Sequence, residues 1–284
     1  MPVLAILLLL LGAVLHTAWN LILKQAKDKY AATWWMLITG GLIALGALFA
    51  TGLPPREMWK FVFFSMLTEA AYFIILSYAY HDNDFSLVYP VARGAAPAFL
   101  AFWSFWFLGE NLTRGGTIGL LLIIGGLIVI GVSTLLQAHV SHLHFKGVAV
   151  ALVVALLISI YTVIDGAAVK RGFALPYVMT MFVLVPLPVT PFVLRQYGWL
   201  RLKEIWTEQG YLLPLIGVLG VAAYLLAVFA YSIAPISYSG AIREVSVVLG
   251  AFAGWRFLGE KMGGMRVFGA LVIFAGILII AIFG

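Results

Sequence analysis

Five ionisable residues, Glu69, Arg93, Asp165, Arg243 and Glu244, stand inside long apolar stretches rather than in the polar gaps between them. A charge at the centre of a membrane-spanning helix costs about 2.5–3.5 kcal/mol on insertion scales, so it persists where it is paired, hydrated or used. One arrangement is mutual neutralisation, Glu69 against Arg93 and Glu244 against the surroundings of Arg243, holding helices in register. The other is a site. Arginine offers an anionic group a forked donor, and it also closes salt bridges. Three acids stand against two arginines, which leaves one carboxylate without an obvious basic partner. Desolvation disfavours the charged form of a carboxylate, so Glu69 or Asp165 is the candidate proton or cation site. Asp165 has a simpler alternative: a wet position near the end of its span, paired with Lys170 or Arg171.

Polar neighbours extend the set. Ser65, Glu69 and Tyr72 share one face at i, i+4 and i+7, and His16, Asn20 and Lys24 repeat every four residues. Lys24 falls where a long side chain snorkels to an interface. His16 is either a ligand or a hydrogen-bonded packing residue. Ser159 and Thr162 line up with Asp165. Tyrosines near span ends commonly form interface belts, but Tyr72 and Tyr224 occupy matching positions well inside two apolar runs. The candidate binding set is His16, Asn20, Glu69, Tyr72, Tyr89, Arg93, Tyr161, Asp165, Tyr224, Arg243 and Glu244. Aromatic walls with a few charges suit a small zwitterion or an organic cation.

The elements that carry these residues follow from composition. Of 284 residues, 64% are hydrophobic and 10% charged, against about 25% charged in soluble domains. A water-soluble enzyme is thereby excluded. The chain has no cysteine, which removes disulfides and thiolate chemistry. Its net charge of +6 comes from singly scattered basic residues, a pattern that anchors loops rather than binds nucleic acid. At about 20 residues per crossing, breaks at glycine, proline and charge clusters define ten spans: 2–23, 31–52, 58–80, 86–108, 115–136, 147–169, 176–194, 211–232, 237–258 and 265–283. The first reads as a retained helix rather than a signal peptide, since it lacks a basic n-region and a small-residue cleavage site. Strands are excluded because the apolar runs are continuous instead of alternating. Between Arg195 and Gln209, the spacing of Trp199, Leu202, Ile205 and Trp206 predicts a short amphipathic helix at the interface.

The second half echoes the first. Phe107-Leu108-Gly109-Glu110 returns 150 residues later as Phe257-Leu258-Gly259-Glu260, and Arg93 meets Arg243 at the same offset. Ala70-Ala71-Tyr72 matches Ala222-Ala223-Tyr224, and Ala79-Tyr80 matches Ala230-Tyr231. Two halves, 1–140 and 141–284, then hold five helices each, and an odd number inverts the second relative to the first. The expected fold is an all-α integral membrane protein of ten transmembrane helices in two inverted repeats, an architecture common among secondary transporters. Inversion places Arg93 and Arg243 on opposite sides of the midplane, roughly 12 Å apart along the axis at 1.5 Å per residue, as alternate anchors or gates. Pro90 and Pro97 mark the fourth span as a bending element. Pro186, Pro188 and Pro191 cluster in the seventh. Gly119, Gly125, Gly126 and Gly131, with Gly264, Gly269 and Gly276, suit close packing within the chain or a homodimer contact.

The pattern resembles the drug/metabolite transporter superfamily, specifically its EamA-type members, over essentially the whole chain. The resemblance is carried by His16-Thr17-Ala18-Trp19-Asn20, Tyr89-Pro90-Val91-Ala92-Arg93-Gly94, Tyr161-Thr162-Val163-Ile164-Asp165 and the two Leu-Gly-Glu ends. In the second repeat Ser239-Gly240 replaces the Tyr-Pro that precedes the arginine. The resemblance implies transport of small metabolites, often export, through a cavity lined by spans 1, 3, 4, 6, 8 and 9. It also implies cytoplasmic termini, although five basic residues in the even-numbered gaps against ten in the others favour the reverse.

No P-loop or dinucleotide fingerprint is present, so neither ATP nor another cofactor is expected. His139, His142 and His144 lack a carboxylate in their loop, and no metal site is expected there. The expected protein is a multi-pass plasma-membrane (bacterial inner-membrane) transporter, not an enzyme. It moves a small polar or zwitterionic, amino-acid-like substrate by alternating access, as exporter or exchanger. A multidrug or organic-cation exporter is the rival, and a lipid-handling membrane protein the third reading.

Overall fold

A computed structural model describes the backbone of residues 1–26, 28–82, 85–137, 145–258 and 263–284, and the same side chains except 24, 77–82, 85–90, 134, 137, 145 and 258. The described residues are helical nearly throughout. In chain order the helices are α1 (Val3–Lys24), α2 (Lys29–Thr51), α3 (Trp59–Asp82), α4 (Phe85–Leu108), α5 (Arg114–Gln137) and α6 (Phe145–Val169), followed by α7 (Ala174–Leu184), α8 (Pro186–Gln209), α9 (Leu212–Ile233), α10 (Ile236–Arg243), α11 (Val245–Leu258) and α12 (Gly264–Phe283). Among the described residues nine segments are long and apolar enough to cross a bilayer singly, α7 and α8 counting as one. Helices α10 and α11 in tandem make the tenth crossing. The chain is an integral membrane protein of ten crossings, in two inverted five-helix repeats.

Two predicted spans are interrupted. The seventh breaks after Val185, where Pro186 has no N–H to donate to the preceding turn. Helix α8 then runs on to Gln209 through a kink at Gly198, whose φ of 71° suits glycine. Past that kink lies the amphipathic segment expected from the sequence: Leu202 and Ile205 are buried while Arg201, Lys203 and Glu204 face outward. Trp35 ties it down, donating to the carbonyl of Leu202 at 2.9 Å and packing on Trp206 at 4.6 Å. The ninth span breaks at Glu244, which follows Arg243 at the end of α10 and precedes the apolar α11.

The packing repeats with the sequence. Helix α3 packs on α6 as α9 packs on α1, and α4 on α6 as α10 and α11 pack on α1. The last helix of each half, α5 and α12, cross each other. A Cβ added at Gly119 would lie 2.6 Å from the carbonyl oxygen of Gly276, and one added at Gly276 equally close to that of Gly119. Gly126 and Gly269 repeat the relationship one heptad along. These glycines therefore bring two backbones together inside the chain. The beginning of α1 reaches the end of α12, the Met1 amine donating to the carbonyl of Gly284 at 2.7 Å. An even number of crossings puts both of these ends at one face. Outward positions are apolar, as with Leu4, Leu7 and Leu11 on α1 and Phe268, Leu271 and Phe274 on α12. Lipid tails, unlike water, carry no penalty for such a surface.

Candidate functional site

The buried charges gather where α1, α3, α4, α6, α9 and α10 converge. Arg93 on α4 donates from Nη1 to Glu244 Oε1 at 3.2 Å, and Arg243 Nη2 stands 3.9 Å from the same oxygen. Arg93 Nη2 lies 2.9 Å from His16 Nε2. A guanidinium carries donors only, so Nε2 accepts and the ring carries its proton on Nδ1. Arg243 Nη1 donates to the Tyr231 hydroxyl at 2.8 Å. Glu244 is 1% exposed, and its second oxygen has no hydrogen-bond partner among the described residues.

Asp165 forms the second focus. It is fully buried, with Oδ1 accepting from Ser65 Oγ and from the Tyr177 hydroxyl at 2.6 Å, while Oδ2 accepts from the Tyr224 hydroxyl. Three hydroxyl donors from α3, α7 and α9 thus hold one carboxylate that no basic side chain contacts among the described residues. Glu69 lies close enough for its charge to be felt by Asp165 and Arg243. It is half-buried, and no described residue hydrogen-bonds or ion-pairs with it. Tyr72 and Tyr161 pack at 5.9 Å between centroids beside it, and Phe182 stands edge-on to Tyr224.

Several sequence readings change here. Long side chains bring the guanidiniums of Arg93 and Arg243 to a single carboxylate rather than leaving them at separate levels. Glu244, not Glu69, is the acid bonded to Arg93. Asp165 is fully buried and bonded to three hydroxyls, not to Lys170 or Arg171. Asn20 donates back to the carbonyl of His16 at 2.7 Å, within its own helix. The side chain of Tyr89, the histidines at 139, 142 and 144, and the second Leu-Gly-Glu end at Glu260 lie outside the described residues. Among the described residues no group of three His, Asp or Glu could hold a metal.

Sequence reasoning passed over Tyr177 and the role of Ser65, and named Tyr231 without assigning it to the site. The signal for Tyr177 was faint: a tyrosine in an apolar run must find a partner for its hydroxyl. The alignment of His16–Asn20 with Tyr161–Asp165 also carries information. Arginines 93 and 243 correspond between repeats, whereas Asp165 corresponds to Asn20, Glu244 to Gly94 and Glu69 to Val221. Within this cluster the arginines obey the repeat and the acids break it.

A second constellation lies at the face where the termini meet. Glu110, just beyond α4, accepts from the backbone N–H of Ile236 at 2.6 Å and of Ser237 at 3.1 Å, from Ser237 Oγ at 2.8 Å and from Lys170 Nζ at 2.9 Å. The first Leu-Gly-Glu end thereby caps α10, the helix that carries Arg243 to the cluster. Burial pushes the Glu110 carboxyl up, but Lys170 and the Ile236 and Ser237 donors outweigh it and hold the group below the usual carboxylate range.

A ten-crossing helical membrane protein with inverted repeats and a charged cluster between them has the build of a secondary transporter. The chain belongs to the EamA-like transporter family, whose model matches residues 3–132 and 145–282. It is similar to a crystal structure described only as that of a protein, with a TM-score of 0.77 at 16% identity, over 98% of this chain and 97% of that one. That likeness concerns the fold. No curated protein matches the chain.

Proposed function

We propose that this protein moves a small polar or zwitterionic, amino-acid-like metabolite by alternating access, as an exporter or exchanger. The carrying observation is that both repeats send charges into one cluster, in which Arg93 and Arg243 share Glu244 while Glu69 has no bonded partner among the described residues. With Asp165 protonated, two arginines balance Glu244 and Glu69, and a zwitterion enters without adding net charge to the bilayer interior. Its carboxylate takes a guanidinium and its ammonium takes Glu69, beside the rings of Tyr72 and Tyr161. With Asp165 ionised, the cluster carries one excess negative charge, which favours a cation. A proton on Glu69 would give the same balance, so one of the two carboxylates that no arginine contacts among the described residues, Asp165 or Glu69, exchanges a proton for substrate. The halves 1–140 and 141–284 rock about the cluster, with α10 and α11 hinging at Glu244. The protein resides in the plasma (bacterial inner) membrane with cytoplasmic termini and carries no catalytic activity.

The excess carboxylate also favours a multidrug or organic-cation exporter. Counterflow in proteoliposomes separates the readings. Zwitterionic amino acids accumulate through the wild type and not through Arg93→Gln. Accumulation of organic cations alone, unaffected by Arg93→Gln, overturns the zwitterion reading.

A further inference from the structure

Away from the polar cluster, a cleft of about 770 Å³ opens between α3, α4 and α6. Its walls are apolar, with Trp103 and Phe107 on one side and Ile160 and Val163 on the other. Its mouth is not. Lys170 and Arg171 line it at the end of α6, and the Arg171 guanidinium lies over the Phe61 ring at 4.6 Å. Lys60 comes to the same ring from the start of α3, at 5.2 Å. Arg171 spends one N–H on the carbonyl of Ala167. Lys170 is bonded to Glu110, whose oxygens are fully engaged on α10.

We infer that this cleft is a binding site for one anionic phospholipid, its acyl chain between α4 and α6 and its phosphate on Lys60 and Arg171. The occupant is fixed by charge complementarity along a single axis. An apolar slot ends at one membrane face in two cations, Lys60 and Arg171, beside the Lys170–Glu110 ion pair, the order in which a phospholipid presents its tail and its phosphate. A soluble anion would leave the slot empty, and a zwitterionic lipid would set a choline or ethanolamine cation against these two. Lys170 joins this mouth to the Glu110 cap, so a phosphate here also competes for the bond that holds α10.

The test is native mass spectrometry of the intact protein with phosphatidylglycerol and phosphatidylcholine of identical acyl chains, with glycerol 3-phosphate as the headgroup alone. At least a fivefold preference for phosphatidylglycerol is expected, falling to parity in the Lys60→Ser/Arg171→Ser double variant. Ala167→Leu, which fills the slot and keeps the cations, is expected to remove retention too; Ile160→Trp asks the same should Ala167→Leu fail to fold. Equal retention of both lipids makes the cleft ordinary lipid-facing surface and overturns the inference. So does retention unchanged by the double variant, or displacement by glycerol 3-phosphate, which would make this a soluble-phosphate site.

Discussion

Arg93 and Glu244, 151 residues apart in the chain, meet at 3.2 Å between the fourth and ninth crossings. The bond joins the two inverted repeats at the point where the second of these crossings is broken. Removing one partner of a buried pair leaves the other charged and unsolvated.

Arg93→Gln is therefore expected to lower stability by about 3 kcal/mol, the lower part of the range for breaking a buried pair, because Arg243 remains near Glu244. The Arg93→Gln/Glu244→Gln double variant is expected to regain part of that loss, since Arg243 then loses its carboxylate neighbour, while transport stays absent. Thermal unfolding in detergent, alongside counterflow in proteoliposomes, checks both halves of the expectation. Equal destabilisation in the double variant would refute it.

Asp165→Asn keeps the shape and one acceptor oxygen but abolishes the charge. The protein is expected to fold and, with Asp165 as the exchanging carboxylate, substrate-driven proton movement is expected to vanish while substrate exchange persists. Tyr224→Phe removes one of the three hydroxyls; hydrogen bonds to charged groups are worth about 1.5–3 kcal/mol, so a milder version of the defect is expected. A pH-sensitive dye trapped in proteoliposomes reads both.

Glu110 sets a pH dependence at the membrane face. Its pKa in the fold is lowered below the ordinary value of 4.5, so its contribution to stability is full above that value. It is lost as pH falls through the depressed one. Between pH 5 and 8 the Glu110 cap is thus expected to be constant, with melting temperature dropping below about pH 4.5. Glu110→Gln is expected to lower stability at neutral pH and flatten that acid limb. A melting series from pH 3.5 to 8 on both proteins measures it.

Gly119 and Gly126 are expected to tolerate no side chain. A Cβ at Gly126 would lie 2.7 Å from the carbonyl oxygen of Gly269, so α5 and α12 must separate to admit it. Gly126→Val is expected to cost about 1–3 kcal/mol, the usual penalty of overpacking. Gly125, which has nothing within 4 Å of its Cβ position, is expected to accept alanine without loss. Melting temperatures of the two variants check the contrast.

Much of the architecture is written in the chain. Continuous apolar runs force helices, because a backbone in lipid must satisfy its own hydrogen bonds, and a tetrapeptide recurring with an arginine at one offset marks two halves whose odd helix count inverts them. The face that Ser65, Glu69 and Tyr72 share follows from helical periodicity, and the amphipathic run at 199–209 from the spacing of its apolar residues. Tertiary structure alone decided the pairings. Periodicity specifies a face but neither the rotation of one helix against another nor the reach of a side chain. Hence Arg93 and Arg243, placed apart by counting residues along helix axes, converge on Glu244, and Asp165, distant in sequence from Ser65 and Tyr224, is held by both. Asn20 shows the same limit from the other side: it shares a face with His16 yet spends its amide on its own helix, donating to the His16 carbonyl one turn back.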